Sequence, residues 1–255
     1  MSGTLDPDLE RRWFPVCSRD DLQAQHIFET ELLGRELAVW RGGGGVVNVW
    51  ANRCPHRGMR LSAGAILGGE LRCAYHGYRY AEGSGLCTSI PAQPGRAAPR
   101  SLCAATYPVF EAGNLIWSRL KDDEPAGAPP PSIAQHCESL YGLAVKSRAI
   151  DVAEVLTRYR FRPTAALAEP ETEDELCTTT QIDAYSFRAA ARKGSMTSEV
   201  RLFLQPVDAR CTVVHGILCG EVAAELKIAA LRHHAERLGR LRDACERLFP
   251  ARDEP

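Results

Sequence analysis

Cys54-Pro55-His56-Arg57-Gly58-Met59 and, with sixteen residues intervening after His56, Cys73-Ala74-Tyr75-His76-Gly77-Tyr78 decide how this chain is read. Together they spell C-x-H, a gap long enough for a hairpin, then C-x-x-H. Two thiols and two imidazoles on two short loops suit a metal centre. To ligate, Cys54 and Cys73 must be deprotonated and His56 and His76 neutral. Zinc accepts the same four donors, so the donor set alone leaves the metal open. Gly58 and Gly77 let the backbone turn and approach a bound group closely.

Working outward, the flanking pattern is β. Arg12-Trp13-Phe14-Pro15-Val16-Cys17 opens the ordered chain after a polar start expected to fray, and Asp20-Asp21-Leu22 is a turn. The apolar runs Glu36–Trp40 and Val46–Trp50 flank Gly42–Gly45 and predict a hairpin that delivers the chain to Cys54. A phosphate cradle would need a lysine and a helix after the glycines, and neither follows. Leu61–Gly64 and Ile66–Leu71 read as a turn and one short strand. Tyr78–Tyr80 and Leu86-Cys87 predict a second hairpin about Glu82–Gly85, and Tyr107–Phe110 with Leu115–Trp117 a closing one about Gly113-Asn114.

The flanks of the two loops, Cys-Pro-His-Arg-Gly and Cys-Ala-Tyr-His-Gly-Tyr, resemble the Rieske [2Fe–2S] signature of ring-hydroxylating and demethylating oxygenases. The resemblance implies an antiparallel β-sandwich with cluster-binding hairpin loops, in which Cys54 and Cys73 hold one iron and His56 and His76 the other. Arg57, Gly58, Tyr75 and Gly77 would line the cluster, and backbone N–H groups of the loops would bond its sulfurs. Two neutral donors lift the potential into a range of about −150 to +300 mV. Respiratory Rieske proteins carry a further, disulfide-linked cysteine in each loop. Met59 and Tyr75 stand there in this chain, which favours the oxygenase type and the lower part of that range.

Lys121 to Pro131 is charged, then proline-rich, and predicts a stiff connector. The expected domains are residues 12–120, a connector at 121–135, and 136–255. Val145 to Phe161 shows strand-like pieces, notably Val155–Phe161. Leu176–Ile182, Tyr185–Ala190, Glu199–Leu204 and Cys211–Leu218 then predict an antiparallel meander. Glu221–Phe249 predicts one long helix with Val222, Leu226, Ala230, Leu238, Leu241, Cys245 and Leu248 near one face. The second domain is thus α+β and resembles the helix-grip half of Rieske oxygenases, in truncated form.

That family pairs the cluster with a mononuclear iron held by a carboxylate and two histidines five residues apart. None of His136, His215, His233 and His234 has a histidine five residues on. His136 stands alone by the connector, and His215 sits in a strand pattern where packing is the usual role. His233 and His234 diverge by about 100° on a helix and are expected on a solvated face. The resemblance therefore implies a chain that accepts electrons from an upstream reductase or ferredoxin. It would pass them to a complete oxygenase subunit in a trimer-based hetero-oligomer. Rival readings are an electron carrier or redox sensor, an autonomous oxygenase with iron on His136, His215 and Asp151 or Asp183, and a small-molecule binding domain.

Composition bounds the rest. With 45% hydrophobic and 25% charged residues the chain is globular, and a net charge of −1 offers nothing to nucleic acid or an anionic membrane. No apolar run approaches a membrane span, and the N-terminus lacks the regions of a signal peptide, so a cytoplasmic location is expected. Cys17, Cys87, Cys103, Cys137, Cys177, Cys211, Cys219 and Cys245 are then expected to be reduced and to pack as small apolar residues.

Overall fold

The computed structural model describes residues 7–122, 133 and 137–250. The proline-rich part of the expected connector and His136 lie outside the described residues. The chain divides into two compact units, Met1–Phe110 with Ile116–Pro129, and Glu111–Leu115 with Pro130–Pro255.

Alternating apolar residues and glycine turns build the first unit from short strands: β1 (Phe14–Ser18), β2 (Ile27–Leu32), β3 (Arg35–Arg41), β4 (Val47–Ala51), β5 (Ala65–Leu67), β6 (Glu70–Arg72), β7 (Arg79–Tyr80), β8 (Cys87–Ser89), β9 (Thr106–Tyr107), β10 (Val109–Ala112) and β11 (Leu115–Ser118). They form antiparallel sheets in the orders β2-β3-β4-β9 and β5-β6-β7-β8, and a third in the order β1-β11-β10. In β3, Leu37, Ala38, Val39 and Trp40 are all buried, as expected of a strand covered on both faces.

Two elements here differ from the sequence reading. The polar segment Ile27–Leu32 is a strand, turning into β3 through Leu33 (φ 52°) and Gly34 (φ 76°). Its three charged or hydroxyl side chains hide the alternation, because β2 is only half buried. Ile66–Leu71 is a hairpin rather than one strand, with Gly68 and Gly69 at its tip. The start is also more ordered than expected, since Pro7–Arg11 forms a 3-10 helix.

Within the four-glycine turn between β3 and β4, Gly45 takes φ 82°, and a Cβ on Gly43 would meet the Gly69 backbone Cα at 3.0 Å. The Glu82 carboxylate occupies the space that a Cβ on Gly42 would need, and it crowds Gly44 as well. Under the loops, Trp40 and Trp50 meet edge to face at 5.0 Å, and Trp50 meets Tyr80 at 6.5 Å. Such contacts are worth about 0.5–1.5 kcal/mol each beyond area burial. Cys54, Cys73, Leu61, Leu71 and Ile66 close the same core cluster, so both cysteines are rooted in packed side chains.

The second unit is a five-stranded antiparallel sheet with two helices. Its strands are β12 (Cys137–Val145), β13 (Leu176–Asp183), β14 (Ser186–Lys193), β15 (Met196–Pro206) and β16 (Thr212–Cys219), and its helices α1 (Ala149–Leu156) and α2 (Ala224–Leu248). The order β12-β16-β15-β14-β13 is the predicted meander with β12 added beside β16. Val152 and Leu156 of α1, and Ala230, Leu238, Leu241 and Cys245 of α2, pack on Phe187, Ala189, Val200, Leu202, Leu204 and Val214. Full burial of each large apolar side chain contributes about 1.5–3 kcal/mol.

Two expectations fail in this unit. Val155–Phe161 is not a strand: α1 runs to Leu156 and the chain then turns out of the helix. Asp151 in the first turn, gripped by Arg148 at 2.7 and 2.8 Å, helps start the helix. Val152, Ala153 and Leu156 give it a buried face that the β-branched alternation masked. The sheet also begins earlier than expected, at Cys137, and Leu248 is exposed at the frayed end of α2.

Candidate metal centre

Both ligand loops close with the same backbone pair. In the first, Cys54 N–H donates to the Met59 carbonyl at 2.7 Å and Gly58 N–H to the Cys54 carbonyl at 2.8 Å. In the second, Cys73 N–H donates to the Tyr78 carbonyl at 2.9 Å and Gly77 N–H to the Cys73 carbonyl at 3.1 Å. Each closure needs a left-handed residue, supplied by Gly58 at φ 75° and Gly77 at φ 70°. C-x-H and C-x-x-H are therefore two copies of one backbone device.

Polar contacts fix the first loop from outside. Asn52 donates to Ser62 Oγ at 2.9 Å and accepts from Ser62 N–H at 2.7 Å. Ser62 Oγ donates to Glu29 at 2.7 Å, and Arg60 bridges to Glu36 and Glu29. These bonds join the loop to β2 and β3, which is why a buried Asn at position 52 is satisfied rather than costly.

Inside, the donors separate by type. Cys54 and Cys73 are buried side by side, within hydrogen-bonding reach of each other. His56 and His76 lie nearer the surface with ring centroids 4.9 Å apart. Tyr78 stacks on His56 at 4.4 Å and 17°, and Tyr75 lies over His76 at 3.7 Å. Among the described residues, no three His, Cys, Asp or Glu side chains close on a single point. A sulfur pair beside a nitrogen pair matches a two-iron cluster with two ligands per iron better than one tetrahedral ion.

The electrostatics suit those roles. Burial pushes the Cys73 thiol up, while backbone N–H groups of Tyr75 and His76 hydrogen-bond to its sulfur and oppose that rise. Desolvation, then the neighbouring His76 and Arg57, hold His56 below the ordinary imidazole range, which favours the neutral ligand form. Tyr80 Oη sits 3.1 Å from Cys54 Sγ. Burial, and then Cys54 itself, keep that phenol far above its usual range, so its O–H remains to donate to sulfur. Arg57 is exposed beside the site, as is Tyr75.

The sequence signature of the Rieske [2Fe–2S] domain matches residues 12–108. Residues 12–108 therefore carry a Rieske [2Fe–2S] domain. A [2Fe–2S] cluster is the group such a domain carries, and the paired thiols, paired imidazoles and sulfur-directed N–H groups fit it. The chain is 47% identical over 118 residues to the oxidoreductase NdmD of Pseudomonas putida, a stretch covering 46% of this chain and 20% of NdmD. It is 36% identical over 111 residues to the 3-chlorobenzoate-3,4-dioxygenase oxygenase subunit of Comamonas testosteroni, covering 43% of this chain and 26% of that protein. The chain thus spans only about a fifth to a quarter of the length of these two relatives. The solved structure of NdmB from Pseudomonas putida CBB5 matches 98% of this chain and 86% of its own length, at a TM-score of 0.75 and 20% identity. At that identity the likeness establishes the fold.

His233 and His234 correct the sequence reading, whereas His215 is packed within a strand as expected. His234 is buried rather than solvated, its Nδ1 hydrogen-bonded to Tyr159 Oη at 2.9 Å. His233 Nε2 accepts the Arg162 backbone N–H at 3.0 Å. His215 is buried against Gln205 Oε1 at 2.6 Å. Burial holds His215 at about 4 and, with His233 adjacent, His234 at about 3. Asp151 is taken up by Arg148, and Asp183 accepts from Tyr185 N–H and Ser186 Oγ. His215, Asp151 and Asp183 are not brought into one group, and His136 lies outside the described residues.

Tyr78, Tyr80 and Asn52 are the site residues that sequence reasoning passed over. A signal existed for the tyrosines: they alternate two apart straight after His76, which aims both toward the loops.

Proposed function

We propose that the Rieske chain delivers electrons to a partner oxygenase subunit and does not itself hold the oxygen-activating iron. In this reading Cys54 and Cys73 hold one iron, His56 and His76 the other, and Arg57, Gly58, Tyr75 and Gly77 shape the pocket. A bound [2Fe–2S] cluster supplies a one-electron store. Tyr80 O–H and the Tyr75 and His76 N–H groups donate to the cysteine sulfurs, stabilising the added negative charge of a reduced centre. The buried Trp40, Trp50 and Leu61 exclude water from the sulfur side. His76, exposed together with Tyr75 and Met59, marks the face where a partner would dock.

The observation that carries the reading is the employment of the second-unit histidines. Among the described residues, His215, His233 and His234 each make an internal hydrogen bond through one ring nitrogen, and no three His, Cys, Asp or Glu side chains group to hold an iron. We assign residues 12–120 to the cluster domain, 121–135 to a connector and 136–255 to a helix-grip domain kept for assembly. An upstream reductase or ferredoxin would supply the electrons.

Metal analysis after anaerobic iron loading tests this. The expected result is two irons per chain, with reoxidation of the reduced protein by an iron-loaded oxygenase subunit in the presence of substrate and oxygen. Three irons per chain, or turnover by the Rieske chain and a reductase alone, would overturn it.

A further inference from the structure

Cys137 on β12 and Cys219 on β16 are direct Cα partners in the antiparallel register. Opposed residues project from the same face, with Cα atoms about 4.5 or 5.5 Å apart according to the kind of pair. Disulfides span Cα separations of about 4.4–6.8 Å, and either kind of pair falls within that range. The two thiols lie close enough to hydrogen-bond, and both are half-buried rather than sealed in the core. Glu199 of β15 is the partner of Cys219 on its other side, and Arg201 lies near both sulfurs. Neither cysteine belongs to the metal centre.

We propose that Cys137 and Cys219 form an oxidisable dithiol that closes to a cross-strand disulfide by exchange with a low-molecular-weight disulfide. Cys137 is the attacking sulfur, because the Cys219 S–H hydrogen-bonds to it and Arg201 lies beside it, both favouring its thiolate. Its thiolate attacks one sulfur of the small disulfide, breaking that S–S bond and releasing one small thiol. Cys219 then loses its proton, attacks the Cys137 sulfur of the mixed disulfide and expels the second small thiol. Two electrons and two protons pass from the protein pair to the reagent. Burial pushes both thiols up, Cys219 to about 12, so the exchange is slow at neutral pH and accelerates with alkali. The product covalently ties β12, an edge strand, to its neighbour β16.

The test uses full-length, cluster-loaded protein under anaerobic conditions, so that Cys54 and Cys73 stay occupied. It is incubated with glutathione disulfide, alkylated and digested without reduction. The expected product is a Cys137–Cys219 peptide pair lighter by two hydrogens, formed roughly tenfold faster for each pH unit between 7 and 9. Cys219→Ala is expected to stop at a glutathione adduct on Cys137, and Cys211→Ala to leave the linkage unchanged. Full alkylation of both thiols in the wild-type protein overturns the proposal. So do stable adducts on either thiol without linkage, or a link to another cysteine.

Discussion

In the first unit His56 and His76 meet edge to face near the surface, and no described protein group hydrogen-bonds to either ring. In the second, His215, His233 and His234 each hold an internal partner at 2.6 to 3.0 Å. Tyrosine divides the same way: Tyr80 reaches a cysteine sulfur, Tyr159 a histidine nitrogen. The contrast shows that residue type says little about a ligand. The pairing of two imidazoles beside two buried thiols says more, because that is the donor arrangement a two-iron cluster takes.

The sharpest way to break this contrast is to remove one donor from each unit. Cys73→Ser is expected to abolish the visible absorption and reduced-state paramagnetic signal, with iron falling from two per chain to near zero. His215→Gln should leave both signals and the iron content intact. Iron lost from both variants alike would mean that the units do not divide the labour in this way.

Acid is the next largest lever. His215 is held at about 4 and His234 at about 3 by burial, against about 6.5 in the unfolded chain. The unfolded chain therefore binds protons that the folded one refuses. Stability is full above pH 6.5 and declines as pH falls toward 4, by about 3 kcal/mol for His215 alone. Urea midpoints measured at pH 7.5 and pH 5 check this, and His215→Gln should flatten the slope.

Two matched substitutions give smaller effects of different kinds. Tyr159→Phe leaves a buried imidazole without its partner and should cost about 1–2 kcal/mol of stability, with the cluster potential unmoved. Tyr80→Phe removes a donor from the Cys54 sulfur. It should lower the potential by roughly 40 mV, the one-electron equivalent of about 1 kcal/mol. Potentiometry and thermal melts on both variants would expose any mixing of the two roles.

The hairpins about Gly42–Gly45 and Gly113-Asn114, the meander and the long helix were legible because glycines and apolar periodicity are local signals. Ile27–Leu32 was not, since a half-buried strand carries few apolar residues. Val155–Phe161 misled because β-branched alternation resembles a strand, while α1 is held by packing of Val152 and Leu156 against the sheet. His233 and His234 were misplaced because side-chain spacing fixes their divergence, not which of them faces the core.

The flanks of the four donors, Cys-Pro-His-Arg-Gly and Cys-Ala-Tyr-His-Gly-Tyr, pointed to the kind of metal centre where the donors alone left it open, and their glycines already dictate two matching loops. Only the folded chain decided what the remaining polar groups do. That Tyr80 reaches Cys54, that His234 is spent on Tyr159, and that Cys137 faces Cys219 all depend on pairings across 26, 75 and more residues. Burial and register, which no local pattern encodes, set such contacts.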